Sequence, residues 1–124
     1  TGLVPDWCSE QGHALEDKYS YDATRTPWRI AIAYVWFGHS DAKNVAGTIA
    51  QWIKTSTGGK PLEVRDGYKL NGTATGQYCI PAYLGPFTCA AMVDAAHEPW
   101  LTDGSNLLRT FSAHDNYYNE SLQV

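Results

Sequence analysis

Apolar and polar positions along the chain fall into two kinds of segment. Across residues 26–38 the apolar side chains point nearly all round: Ile30, Tyr34 and Phe37 share one face, and Trp28, Ile32, Val35 and Trp36 occupy the others. Such a pattern predicts a helix buried on most sides. Thr26 is a capping residue type, Pro27 suits the first helical position, and Gly38 suits the stop. Across residues 40–55, which open on the capping type Ser40, the pattern changes. Val45, Ile49, Trp52 and Ile53 take one side at helical spacing, and Lys43, Asn44, Gln51 and Lys54 take the other. That predicts an amphipathic helix with one wet face.

The remaining segments are shorter or more broken. "TGLVPDWCSEQG" carries turn formers without periodicity and predicts a loop, continued through residues 12–19 and ordered only if Leu3 and Trp7 reach a core. "TSTGGKP" interrupts the chain. In "LEVRDGYKLNGTATGQY" short strands at residues 62–64 and 68–70 and plain loop are equally compatible with the residues. Gly85-Pro86 predicts the start of a mostly apolar helix running to Pro99. A one-sided helix is expected over residues 104–112, around Leu107, Leu108 and Phe111, and a last one begins near Asn116. Buried and one-sided helices therefore alternate, which predicts an all-α, two-layered ring of inner helices covered by outer ones. A loop opens the sequence and an unfinished helical pattern closes it, so a piece of something larger is expected.

Composition narrows the function. The 124 residues, 44% apolar, suffice for one domain with a modest core. The net charge of −4 and the scattered nine basic residues argue against a nucleic-acid partner. No apolar run approaches the roughly 20 residues of a membrane helix, and no basic-then-apolar leader opens the chain. Cys8, Cys79 and Cys89 fit no zinc spacing; three free thiols, or one disulfide with a thiol left over, both stay open. Five Trp, eight Tyr and three Phe can fill a core or offer flat faces on which sugar rings stack.

"YSYDATRTPWR" is the stretch with candidate chemistry. Asp22 sits just ahead of the proline-started helix, and Arg25 follows three positions on. Asp22 is either a structural carboxylate paired with Arg25 or a carboxylate held for a reaction. Spacing alone does not choose.

"TGLVPDWC", "YSYDATRTPWRIA", "YVWFG", "DGY", "LGPF" and "YYNESL" occur here in the order found in glycoside hydrolase family 8. The resemblance is closest to its endo-1,4-β-glucanases and runs collinearly along essentially the whole chain. It implies a partial (α/α) six-hairpin toroid with an acidic, aromatic-lined cleft. Residues 1–124 would form a single domain matching the C-terminal third of that catalytic domain. It also implies inverting hydrolysis of a β-1,4-glucan, with Asp22 as the general base and Tyr21, Arg25 and Tyr118 contacting substrate. Trp7 is expected to pack rather than line the cleft. Inversion needs two carboxylates, roughly 6.5–9.5 Å apart, and a water between base and sugar; it needs no metal and no cofactor. A polymeric substrate implies a secreted enzyme.

The sequence also departs from the family pattern. The general-acid glutamate belongs upstream of "TGLVPDW" and has no counterpart; Glu10, Glu16, Asp17, Glu63 and Glu98 sit in no matching motif. Ala33 stands where an aspartate is usual, "QYCIPAYLGPF" replaces a frequent Asn-His-Asn run, and Asp115 takes the place of a cleft tyrosine. Three expectations therefore stand side by side. The chain is part of a β-glucan hydrolase, or a non-catalytic β-glucan-binding helical module, or an enzyme completed by a second copy or an unmatched local carboxylate. Each calls for a partner, either a missing N-terminal segment or a second chain, because an isolated third of a ring exposes apolar flanks.

Overall fold

The computed structural model describes residues 1–111. Among them are the helices α1 (Thr26–Phe37), α2 (Ser40–Ser56), α3 (Pro81–Ala90) and α4 (Glu98–Leu108). No strand occurs among the described residues. The 57–80 excursion is loop with one 3-10 turn at Pro61–Glu63 and isolated antiparallel bridges, Tyr19 to Tyr68 and Tyr68 to Ala74. The architecture is all-α, as expected of a partial (α/α) six-hairpin toroid.

The α1–α2 hairpin follows the sequence pattern closely. Gly38 closes α1 at φ +71°, where a Cβ would be strained, and its N–H bonds Tyr34 O at 2.8 Å. Pro27 sits in the first turn, as expected. Thr26 and Ser40 do not cap, however. Arg25 and His39 occupy the N-cap positions without side-chain cap bonds, because a 3-10 turn at Ala23–Arg25 already leads into α1 and Ser40 is inside α2. On α2 the buried stripe is Ala46, Ile49, Ala50 and Ile53, while Val45 is 38% exposed.

Helix α3 is the centre of the core. Pro81 to Thr88 are buried without a break, and α1, α2 and α4 all pack against this helix. Phe87 lies 5.6 Å, centroid to centroid, from Tyr19, 5.9 Å from Trp52 and 6.1 Å from Tyr68, so two loop aromatics and one from α2 dock onto it. Trp100 and Leu108 bring α4 onto the same cluster. Gly104 permits that approach: a Cβ there would come within 2.5 Å of Thr88 Oγ1.

The pattern misplaces both of these helices. Helix α3 starts at Pro81, four residues ahead of Gly85, and Pro86 lies inside it. A proline has no N–H to give the carbonyl four residues back, which here is Ala82 O. Thr24 fills that vacancy from another element: its buried hydroxyl donates to Ala82 O at 2.9 Å. Beyond Ala90 the chain does not continue as one helix to Pro99. It passes through 3-10 turns at Ala91–Val93 and Ala95–His97, the second capped by Asp94 Oδ1 accepting from Ala96 N, and enters α4 with Pro99 in its first turn. The helix expected near Asn116 lies outside the described residues.

Expected burial fails at the end of α1 and in the opening loop. The C-terminal half of α1 is not enclosed, since Val35 is 45% exposed and Trp36 and Phe37 are each 70% exposed. Trp7, expected to pack, is 64% exposed, whereas Leu3 and Val4 do reach the core. Cys8, Cys79 and Cys89 are all free, Cys8 exposed and the others half-buried.

Two predictions follow from the packing. Thr24→Val leaves Ala82 O buried and unpaired and should lower unfolding free energy by about 1–3 kcal/mol. In a Pro86→Ala background, which restores an N–H for that carbonyl, the same substitution should cost measurably less, as a urea-unfolding double-mutant cycle would register. An equal cost in both backgrounds would refute the account of Pro86. The thiols should also differ in reactivity. Burial pushes Cys79 up to about 11 and raises Cys89, whereas Cys8 is exposed. Iodoacetamide at pH 8, followed by mass spectrometry, should mark Cys8 well before the other two.

Candidate active site

The Asp22 loop is fixed from several sides. Tyr19 exchanges both backbone hydrogen bonds with Tyr68, at 2.9 and 3.1 Å, which ties the chain ahead of Asp22 to the "DGY" excursion. Ser20 follows, receiving a hydrogen bond from the Tyr83 hydroxyl at 3.4 Å. Thr24 anchors the far side to α3 through Ala82 O. Burial keeps the supporting phenols neutral: it pushes Tyr68 up to about 12 and raises Tyr19 and Tyr83 as well. They therefore act as hydroxyls at any ordinary pH.

The decisive contact comes from further up the chain. Asp6 is folded beneath the loop with its side chain only 4% exposed. Its Oδ1 accepts from Ser20 N at 2.7 Å and from Ala23 N at 3.0 Å, and its own N–H bonds Lys18 O at 2.9 Å. Lys18 Nζ stands 3.7 Å from the other oxygen. Asp6 thus supplies the acceptor for Ala23 N, the first N–H of the turn leading into α1, while Ser20 O takes the Thr24 N–H that an N-cap side chain ordinarily accepts.

Asp22 is the residue at that N-cap position, and its side chain makes no cap bond among the described residues. Its carboxylate is 52% exposed, with Arg25 Nη2 3.0 Å from Oδ1. Arg25 Nε also reaches Asp22 O at 3.5 Å, so the guanidinium bridges side chain and backbone of the same residue. The result is a carboxylate on a pinned backbone, charge-paired on one side and presented outward. Such a group can accept a proton from a water held beside it.

Tyr21 is next to it, 47% exposed, with its ring edge-on to Tyr83 at 5.5 Å between centroids. Tyr21, Asp22 and Arg25 are therefore brought together on one loop and turn. Tyr118 lies outside the described residues. Tyr78, 67% exposed, is a further flat surface, and its turn is set by Asp66 Oδ1, which accepts from Gln77 N at 2.7 Å and Tyr78 N at 2.9 Å.

Three carboxylates that match no motif have structural partners. Asp17 Oδ1 accepts from Leu70 N at 2.9 Å, Glu63 pairs with Arg65, and Glu98 opens α4 beside Thr102. A concavity of ≈ 730 Å³ lies between α2 and the 93–97 turn, lined by Lys43, Gln51, Trp52 and His97 among others, and none of Tyr21, Asp22 or Arg25 lines it. Among the described residues no His/Cys/Asp/Glu group is arranged to hold a metal ion, and no helix is long and apolar enough to cross a membrane.

Sequence reasoning missed Asp6 and Thr24 as supports of the site and Asp66 as the support of the Tyr78 turn. Asp6 and Asp66 lie in the strings "GLVPDW" and "DGY", but nothing in those strings says which backbone N–H groups they serve. Thr24 carried no signal, because its partner is 58 residues away.

An all-helical fold whose loop presents a pinned, half-exposed carboxylate beside an arginine and a tyrosine fits the carbohydrate-cleaving helical toroids. The chain belongs to glycosyl hydrolases family 8, whose sequence pattern matches residues 1–124. It is 36% identical over 137 residues to a β-glucanase of Niallia circulans, covering 100% of this chain and 33% of that one. It is 33% identical over 108 residues to an endoglucanase of Bacillus sp. (strain KSM-330), covering 87% of this chain and 23% of that one. The apo structure of a β-1,3-1,4-glucanase from Paenibacillus sp. X4 superposes with a TM-score of 0.88 at 34% identity, over 99% of this chain and 35% of that one. The chain thus spans about a third or less of the length of these relatives.

Proposed function

We propose that this chain is the C-terminal third of the catalytic domain of a secreted, inverting, endo-acting β-1,4-glucan hydrolase, and that Asp22 is its general base. The observation that carries the reading is the division of labour between two aspartates. Asp6 holds the backbone on both sides of Tyr21 and Asp22, and the Asp22 carboxylate stands half-exposed ahead of the turn into α1. In the proposed reaction a water sits between Asp22 and the anomeric carbon. Asp22 takes its proton as the oxygen attacks, on the face opposite the leaving group. A carboxylic acid roughly 6.5–9.5 Å away protonates the departing glycosidic oxygen. Arg25 holds Asp22 in place and, with Tyr21 and Tyr118, contacts the sugar.

The acid comes from a partner, either a glutamate of an N-terminal segment or one from a second copy. The relatives' greater length supports the first source. The exposed Val35, Trp36 and Phe37 supply an apolar face that such a partner would cover. A second reading is a β-glucan-binding module without catalysis. It is favoured by the exposure of Trp7 and Tyr78, whose flat faces suit sugar rings.

One experiment separates the readings. Reducing-end release from carboxymethyl-cellulose and from mixed-linkage glucan is measured with the intact natural protein and its Asp22→Asn variant. If Asp22 is the base, the variant loses about 10²–10⁴-fold in rate. Undiminished activity removes Asp22 from the mechanism. No activity in either protein, with retardation of both in a glucan-containing gel, selects the binding module instead.

A further inference from the structure

Asp6 has no assigned part in the reaction, yet it is the most buried carboxylate in contact with the Asp22 loop. A carboxylate so far removed from water is unfavourable unless its oxygens are satisfied. Here two backbone N–H groups and Lys18 satisfy it. A turn of this kind does not need an acceptor from 17 positions upstream. Its own N-cap residue is an aspartate, a type that commonly folds back to accept the N–H of a following residue. The N–H that an Asp22 cap would take at Thr24 already bonds Ser20 O at 2.9 Å, and Ser20 is one of the two residues whose N–H Asp6 holds, so Asp22 has no such N–H to turn toward.

We propose that Asp6 is a positioning residue for the reaction: its Oδ1, by holding Ser20 N and Ala23 N, keeps the Asp22 carboxylate aimed outward at the attacking water. The proposal rests on the reading of Asp22 as general base. With its side chain only 4% exposed, Asp6 acts through the backbone on both sides of Tyr21 and Asp22. Three independent anchors support a loop rigid enough for this. They are the Tyr19–Tyr68 exchange, the Tyr83 hydroxyl on Ser20, and Thr24 on Ala82 O. Positioning errors of this kind act on the chemical step more than on ground-state binding.

The test uses the intact natural protein and mixed-linkage β-glucan, with folding checked by near-UV circular dichroism. Asp6→Ala is expected to lower kcat by about 10–100-fold while KM changes by less than about threefold. Asp6→Asn, which keeps Oδ1 as an acceptor, is expected to fold and to retain at least about a third of wild-type kcat. Adding Asp6→Ala to Asp22→Asn should leave the residual rate of the single variant unchanged, since Asp6 has nothing left to position.

Folded Asp6→Ala with kcat within twofold of wild type overturns the proposal. So does a further tenfold loss in the double variant, which would mean that Asp6 supports the fold or the cleft independently of Asp22. If Asp6→Ala does not fold, a tenfold loss of kcat in folded Asp6→Asn overturns it, and retained activity there supports the acceptor role. Full activity in Asp22→Asn alone would instead sink the underlying reading of Asp22.

Discussion

One buried oxygen, Asp6 Oδ1, organises the part of this molecule that matters for chemistry. It accepts hydrogen bonds from Ser20 N and Ala23 N, and so fixes the backbone on both sides of Tyr21 and Asp22. The 3-10 turn into α1 is stabilised without help from the Asp22 side chain. A carboxylate at a helix start is usually absorbed by local capping. Here it stands half-exposed beside Arg25. Had Asp22 been its own cap, its charge would be engaged with backbone and less available to a water.

The same region depends on α3, and the dependence is mutual. Pro86 leaves Ala82 O without its helical donor, and the Thr24 hydroxyl replaces that donor. The site loop therefore repairs a defect in the core helix, while the core helix holds the far end of the site loop. Phe87, one turn along α3, receives Tyr19 and Tyr68 from the two loops that meet in the Tyr19–Tyr68 bridge. Interior packing and the geometry of Asp22 are consequently hard to perturb separately.

Local signals in the sequence worked where local physics decides. Gly38 ended α1 because a left-handed residue was needed there, and Ile49 and Ile53 marked the buried side of α2. They failed where a distant contact decides. Pro86 looked like a helix start because its own residue preferences say so, and in the interior the carbonyl it leaves unpaired is met by Thr24, a residue far away in sequence. Trp36 and Phe37 looked buried because a stripe of apolar residues does not say whether a neighbour exists to cover it. Asp22 and Arg25 were legible as a pair, but an ion pair at 3.0 Å suits a structural role as well as a catalytic one. The motif strings pointed to the family. The sequence could not reveal that a second aspartate holds the backbone on both sides of Asp22, because that fact is tertiary.

The central claim, that Asp6 keeps Asp22 from capping its own turn, is open to direct inspection in a crystal structure of the Asp6→Ala variant. The account predicts that the Asp22 side chain swings inward there and accepts from a backbone N–H of the Ala23–Arg25 turn, leaving Arg25 without its 3.0 Å contact. An Asp22 carboxylate found in its original place, still against Arg25 and still outward, would contradict it.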